Sequence, residues 1–168
     1  MRVFLKIIFF IAVLTAGFSF AQNRNDVLKR QGQLLMDEGR YGEAIDQFNK
    51  YIASNPRTAE GYHLRGLCFE QRLQYWDAVF DLRRALRLTP NDSKIRSDLA
   101  RIISVWHKQL YQKIDGHKRD IAIDPNNAFA YLEIGKSYRW LEEWYTAERW
   151  YDEYLKRDVN ASPDEIIR

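Results

Sequence analysis

The chain has 168 residues, of which 46% are hydrophobic and 29% charged, a composition typical of one folded domain rather than of a disordered segment. Its 26 basic and 23 acidic residues leave a formal net charge of +3. So small a net charge lacks the surplus of basic residues that is typical of a nucleic-acid-binding surface. A single cysteine, Cys68, excludes an intramolecular disulfide and any multi-cysteine metal site. Because it lies on the apolar face of a predicted helix, we expect a small core residue rather than a reactive thiol.

The first 21 residues have the layout of a secretory signal peptide. A basic start, Arg2 to Lys6, precedes an apolar run at residues 7–14 and a small-x-small cleavage site, Ser19 to Ala21. We predict cleavage after Ala21, which gives a mature chain beginning at Gln22 in a bacterial periplasm or outside the cell. The alternative is an uncleaved membrane anchor, although the apolar run is short against the roughly 20 residues of a bilayer span.

A motif recurs along the rest of the chain, from about Asn25 to Asp158. It comprises two short amphipathic helices joined by a turn, with a glycine in the first helix and an alanine in the second. The second copy follows the first after 34 residues, and a further copy follows after about twice that interval. The glycines are Gly32, Gly66 and Gly135, and the alanines are Ala44, Ala78 and Ala147.

This skeleton resembles the tetratricopeptide repeat, whose pattern is W-x₂-L-G-x₂-Y…A-x₃-F…P. The resemblance implies an all-α fold, a right-handed α-solenoid of about four helical hairpins. We place the repeats at about residues 25–58, 59–92, 93–127 and 128–158. In the second repeat we expect the two helices to approach closely where Gly66 faces Ala78.

The third repeat departs from the pattern. It has Ala100 in place of the glycine, Gln112 or Lys113 in place of the alanine, one inserted residue, and no turn signal near His107. Apolar residues keep helical spacing from Ile95 to Ile114, so one continuous helix is the alternative to a hairpin. We predict the hairpin, because the fourth repeat resumes in register.

The fourth repeat is rich in aromatic residues. We assign to its core Tyr131, Tyr138, Trp144 and Tyr151. Beyond it, Ser162 and Glu165 form a capping box with a proline between them, which opens a further helix. Residues 162–168 are too few for a helix to stand alone. They are either a ragged end or the beginning of a further part of a longer protein, and we predict the second.

The sequence contains no catalytic constellation. The histidines at positions 63, 107 and 117 lack metal-ligand spacing, and we expect each to be solvated or hydrogen-bonded. The serines lack a strand–elbow–helix setting, and no glycine-rich phosphate loop occurs. We therefore predict that the protein is not an enzyme and has no metal, no cofactor and no small-molecule substrate.

The resemblance implies a binding surface instead, because stacked repeats of this family line a concave groove with their first helices. The residues predicted to contact a protein or peptide partner there are Lys29, Gln33, His63, Leu67, Lys94, Arg101, Phe129, Leu132, Lys136 and Trp140. Some family members hold a peptide's terminal carboxylate with a clamp of lysines, asparagines and an arginine. We do not expect that clamp, because Leu64 and Asp98 occupy two of its positions.

The four predicted contacts between Phe129 and Trp140 share one face of a helix, as an apolar stripe with a lysine among it. We interpret this stripe as part of the groove. The alternative is that a later repeat, or the residues after Tyr154, cover it.

The predicted function is a non-enzymatic protein–protein interaction scaffold of the bacterial cell envelope. A membrane would be a partner only if the signal segment is uncleaved. The alternative function is that of an N-terminal module in a larger exported protein, whose remaining part carries an enzymatic or outer-membrane function.

Overall fold

The structure, a computed structural model, describes residues 24–158, and within that range it contains helices and no strands. The helices are α1 (residues 24–37), α2 (Tyr41–Ser54), α3 (Ala59–Gln71), α4 (Tyr75–Leu88), α5 (Ser93–Ile123), α6 (Ala128–Trp140) and α7 (Trp144–Arg157). The predicted all-α fold is confirmed. The predicted signal peptide and the predicted helix start at 162–168 lie outside the described residues.

The helices divide into two compact units, with the boundary between Ile102 and Ile103. The first unit holds the hairpins α1–α2 and α3–α4 and the beginning of α5. The second holds the remainder of α5 and the hairpin α6–α7. Of the five tryptophans, Trp76 belongs to the first unit and the other four to the second.

In each hairpin, the second helix approaches the first most closely at a glycine of the first helix. A Cβ atom at Gly32 would lie 2.6 Å from the ring of Phe48, which is too close for carbon atoms. Similar overlaps would arise for Gly66 with Leu82 and for Gly135 with Tyr151. The three glycines therefore permit a helix approach that any side chain would prevent.

The predicted contact in the second repeat is confirmed. A Cβ atom at Gly66 would lie 3.3 Å from the carbonyl oxygen of Ala78, whose own side chain is fully buried. Cys68 is fully buried in the same region, and its burial raises the pKa of the thiol to about 12. Such a thiol stays protonated, so Cys68 is the small core residue that we expected.

The turns after α1, α3 and α6 share one backbone conformation. Gly39, Leu73 and Glu142 have φ angles of 74°, 60° and 62°, in the left-handed region. The N–H of the next residue donates back to a carbonyl oxygen five residues earlier, at 2.8 to 3.0 Å in the three turns. This is the Schellman arrangement, which ends a helix by satisfying its last carbonyl groups.

The segments between hairpins hold the caps that start the following helices. The Asp92 carboxylate accepts hydrogen bonds from the N–H groups of Lys94 (2.9 Å) and Ile95 (3.0 Å) at the start of α5. The Asn127 side chain likewise accepts from Ala130 N–H at 3.2 Å. Thr58 occupies the same position before α3, but its side chain makes no cap hydrogen bond.

The third repeat does not form the predicted hairpin, because α5 runs without interruption from Ser93 to Ile123. With the one-residue insertion, a hairpin would place Lys113, His117 and Asp120 at the positions of Ala78, Leu82 and Ala85 in the second repeat. The side chains at those positions of the second repeat are all fully buried. Burying charged and polar groups there without partners would be unfavourable.

The continuous helix instead buries apolar residues of the same segment. Its apolar residues Ile102, Leu110 and Ile114 keep one helical phase and are each less than 10% exposed. In the second unit, Leu110 and Ile114 form a core cluster with Ile134 and Leu141 of the region of α6. The burial of these residues therefore favours the continuous helix, which is the alternative to the predicted hairpin.

The core of the fourth repeat differs from the predicted core at one position. Trp144 is 64% exposed, so its assignment to the core was wrong. The equivalent Tyr41 packs against a cluster that includes Cys68 of the following helix, whereas residues 24–158 contain no helix after α7. Tyr151 is buried as predicted, and its hydroxyl group has no hydrogen-bond partner among the described residues.

Candidate partner-binding surfaces

The first helices of the first unit, α1, α3 and the beginning of α5, are joined by charged pairs. Lys29 Nζ of α1 lies 3.2 Å from a Glu60 carboxylate oxygen of α3. The Arg101 guanidinium of α5 pairs with the Glu70 carboxylate of α3. These contacts fix three neighbouring helices side by side. They also neutralise Lys29 and Arg101, two of the predicted partner contacts.

His63 and Asp98 form a third pair, between α3 and α5. His63 Nε2 lies 2.8 Å from Asp98 Oδ2, and the two side chains are 10% and 18% exposed. Burial acts to raise the pKa of the Asp98 carboxyl, but hydrogen bonds from His63 and Arg101 outweigh it, and the pKa lies below its ordinary value. His63 is therefore hydrogen-bonded, as expected, and it links α3 to α5.

The remaining predicted contacts of the first unit are accessible. Gln33 and Leu67 are half-buried, and Lys94 is exposed. A surface cleft of about 480 Å³ is lined by Arg30, Gln33, Leu34, Met36, Asp37 and Leu64. This face of the first unit thus offers an outside partner mostly apolar and amide groups.

A second surface lies in the second unit, where α5 runs beside α6. At one end, the rings of His117 and Phe129 meet edge to face, with centroids 5.9 Å apart. At the other end, Trp106 and Trp140 meet with centroids 5.9 Å apart. We call this surface the α5–α6 seam, and it consists of Trp106, Lys113, His117, Phe129, Glu133, Lys136 and Trp140.

The centre of the α5–α6 seam is ionic. The Glu133 carboxylate accepts hydrogen bonds from Lys113 Nζ and, at 3.0 Å, from Lys136 Nζ. Burial acts to raise the pKa of the Glu133 carboxyl, but the two lysines outweigh it, and the pKa is lowered. Glu133 is 13% exposed, whereas Lys113 and Lys136 are 48% and 39% exposed. One ionised carboxylate therefore serves two ammonium groups, which leaves one positive charge in surplus.

Phe129, Lys136 and Trp140 of the predicted stripe on α6 belong to the α5–α6 seam, and Leu132 does not. Phe129 is 61% exposed, and Leu132 and Lys136 are partly exposed beside it. Trp140 is different, because it packs against Trp106 and the core of the second unit. It is thus a wall of the seam rather than an exposed anchor.

Sequence reasoning missed Lys113, His117 and Glu133. Lys113 was predicted to lie on the second helix of a hairpin, and His117 was expected only to be solvated or hydrogen-bonded. The signal that could have found them is the continuous-helix alternative. Spacings of seven and four residues put Trp106, Lys113 and His117 on one face of an uninterrupted helix.

No group of three or more histidine, cysteine, aspartate or glutamate side chains within residues 24–158 could hold a metal ion. No helix in that range is both long enough and apolar enough to cross a membrane.

Relatives of known sequence match about three fifths of the chain. Small glutamine-rich tetratricopeptide repeat-containing protein 2 of Mycosarcoma maydis is 28% identical over 101 residues, which are 60% of this chain and 28% of that protein. The Hsp70-Hsp90 organizing protein of Triticum aestivum is 22% identical over 102 residues, which are 61% of this chain and 17% of that protein. The chain thus spans less than a third of the length of these relatives. No protein-family model matches it.

Solved structures that align with this chain include that of MamA, with a TM-score of 0.48 and 22% identity over 79% of this chain and 77% of its own. Another is YrrB, described as a TPR protein with an unusual peptide-binding site. It aligns with a TM-score of 0.42 and 21% identity over 77% of this chain and 66% of its own. Neither similarity identifies a ligand of this chain.

Proposed function

We infer that this tetratricopeptide-repeat chain is a non-enzymatic protein-interaction scaffold of the bacterial cell envelope, whose first helices hold a segment of a partner protein. The observation that carries this proposal is the fixed array of α1, α3 and the beginning of α5. A surface that is already ordered loses little conformational entropy on binding. Repeat proteins use extended surfaces of this kind to bind partners, and the relatives of the chain include repeat proteins of the same kind.

The chemistry of this face indicates how a partner would be held. Gln33, Leu67 and Lys94 lie on the three neighbouring helices, and they are the predicted contacts of the first unit that take no part in these charged pairs. An extended segment with free backbone groups and apolar side chains fits an amide, an aliphatic side chain and one cation. Because few charges are involved, we expect this binding to depend weakly on salt.

Affinity capture from envelope extracts tests the interaction. The double variant Gln33→Glu with Lys94→Glu changes this face while leaving its ion pairs intact, and we expect it to lose the captured partner. The matched control is Gln47→Glu with Lys50→Glu on α2, where one glutamine is half-buried and one lysine is exposed in the same way. Equal capture by the two double variants would contradict binding by the first helices.

The envelope location is supported by the signal-peptide pattern of residues 1–21. Mass spectrometry of the protein from its native cells checks it. We expect a mature chain that begins at Gln22 in the periplasmic or secreted fraction. A chain that keeps residues 1–21 in the membrane fraction would support the uncleaved anchor instead.

A further inference from the structure

We propose that the α5–α6 seam binds an acidic, apolar segment of a partner protein, with a carboxylate side chain between Lys113 and Lys136 and an apolar side chain against Phe129. The proposal rests on the proposed function, because it adds a partner chemistry and a second surface to it. It concerns residues of the second unit only.

The charge at the centre of the seam selects an acidic partner. Lys113 and Lys136 share the single Glu133 carboxylate, although each ammonium group has three N–H donors. The two lysines are three or more times as exposed as Glu133, so their remaining donors are accessible to a ligand while the glutamate is covered. A second carboxylate, brought by the partner, would balance the two cations.

The ends of the seam supply apolar contact. Phe129 presents an exposed aromatic ring whose edge contact with His117 fixes its position. The Trp106–Trp140 pair closes the other end. Exposed aromatic rings held in place by neighbours are favoured anchors for peptide binding, because little side-chain freedom is lost.

The length of the seam sets the length of the bound segment. Phe129 and Trp140 lie eleven residues apart on α6, which corresponds to about 16 Å at about 1.5 Å per helical residue. An extended chain covers this distance with about five residues at about 3.3 Å each. We therefore expect a segment of about five residues, with its acidic residue between two apolar ones.

Other charged ligands fit the seam less well. His117 Nδ1 lies 3.1 Å from the Asp120 carboxylate, so a negative charge also stands at the Phe129 end. Together with Glu133 it would repel a polyanion such as a nucleic acid. A basic segment would face the surplus lysine. The single acid of the ligand is best placed near Lys113 and Lys136, away from Asp120.

Selection from a phage-displayed library of random seven-residue peptides on the full chain tests the proposal. We expect enriched sequences with one aspartate or glutamate next to apolar residues. A fluorescein-labelled enriched peptide should bind at least tenfold more weakly to the Lys113→Gln, Lys136→Gln double variant. The control is Lys118→Gln with Lys156→Gln, two exposed lysines outside the seam, which should bind as the parent does.

A second variant guards against misfolding, because Glu133 loses both partners in the double variant. Lys136→Gln alone leaves Lys113 paired with Glu133, and it should still weaken binding several-fold with an unchanged melting temperature. Lys136→Arg should restore most of the affinity. Enriched peptides without acids, or equal binding by the seam variants and the control, would overturn the proposal.

Further outcomes separate this proposal from the proposed function. If the Gln33→Glu, Lys94→Glu variant fails to bind the acidic peptides while the seam variants still bind them, the seam proposal is overturned and the proposed scaffold function stands. If sedimentation shows a dimer of the parent and a monomer of the Lys136→Gln variant, a second copy of this chain occupies the seam. That result also overturns the proposal. Tighter peptide binding by Asp164→Asn with Glu165→Gln would overturn it in favour of the chain's own tail.

Discussion

At the scale of single residues, the glycines differ in what surrounds them, and we predict opposite effects of the same substitution. Gly66→Ala places a Cβ atom against Leu82 and Ala78, so we expect the free energy of unfolding to fall by about 1–3 kcal/mol. Gly116 lies inside α5 with no atom within 4 Å of a Cβ position. Gly116→Ala should raise the free energy of unfolding by about 0.5–1 kcal/mol, because alanine loses less entropy in a helix.

Urea unfolding followed by circular dichroism measures both changes. The two variants add the same methyl group, so each is the control of the other. If Gly66→Ala were neutral, or if both variants moved in the same direction, the close approach of α3 to α4 would not be what makes glycine necessary.

The hydroxyl group of Tyr151 leads to a second prediction at this scale. It is buried without a partner among the described residues, and an unpaired buried polar group is unfavourable. The equivalent residue of the first repeat is Phe48, which has no hydroxyl. We expect Tyr151→Phe to raise the free energy of unfolding by about 1 kcal/mol.

The control for Tyr151 is Tyr131, whose hydroxyl donates to the Pro125 carbonyl oxygen at 3.2 Å. Tyr131→Phe should lower the free energy of unfolding by about 0.5–1.5 kcal/mol, the usual value of a hydrogen bond. Thermal unfolding of the two variants decides the matter. Equal losses in both would mean that the Tyr151 hydroxyl is paired in solution.

At the scale of elements, the continuity of α5 separates the two interpretations of the third repeat. Lys108 lies in the middle of α5, close to where the predicted hairpin would have turned. Lys108→Pro would be tolerated in a turn, but inside a helix it removes a hydrogen bond and clashes with the preceding turn. We expect it to cost about 3 kcal/mol or more.

Helix content from circular dichroism and the melting temperature check this prediction. Lys108→Ala removes the same side chain and keeps helical geometry, so it should melt within a degree or two of the parent, since alanine is a good helix former. A proline variant that melts with the alanine variant would restore the hairpin.

Structural elements could be predicted from the sequence where one residue type is needed for one structural role. Gly66 and Ala78 indicated a close helix contact, because only small side chains permit it. The turns at Leu73 and Glu142 have no such mark, since both residues adopt a left-handed conformation that glycine prefers. Their position follows only from the repeat interval.

The same limit explains the errors. The hairpin of the third repeat was inferred from the register of its neighbours, but a hairpin would bury Lys113 and His117, whereas the continuous helix leaves Lys113 exposed and His117 partly exposed. The pairing of His63 on α3 with Asp98 on α5 was not predicted either. Contacts between residues 35 apart depend on tertiary packing, which local patterns do not contain.

At the scale of the whole molecule, the division into two units predicts where a local defect is felt. Gly135→Ala adds a methyl group 2.5 Å from the Tyr151 ring in the second unit. Stability in repeat proteins is a sum of repeat terms and contacts between neighbours, and amide exchange reports local opening. We expect amides of α6 and α7 to exchange faster, while those of α2 and α3 keep their rates.

Hydrogen exchange with mass spectrometry gives these rates by segment. Gly66→Ala is the matched variant of the first unit, and it should give the reverse pattern. Faster exchange throughout the chain in both variants would show one cooperative unit and end this expectation.

The distribution of tryptophans gives the two units different optical properties. Indole emission comes from Trp76 in the first unit and from four rings in the second, so the Trp76→Phe variant would report on the second unit alone. Within it, the Trp106 and Trp140 rings are 5.9 Å apart and tilted by 48°, close enough for their electronic transitions to couple. Far-ultraviolet circular dichroism, where the strong indole transition lies, should therefore contain an exciton signal. That signal disappears when α5 separates from α6, which makes it an intrinsic gauge of the second unit without any added dye.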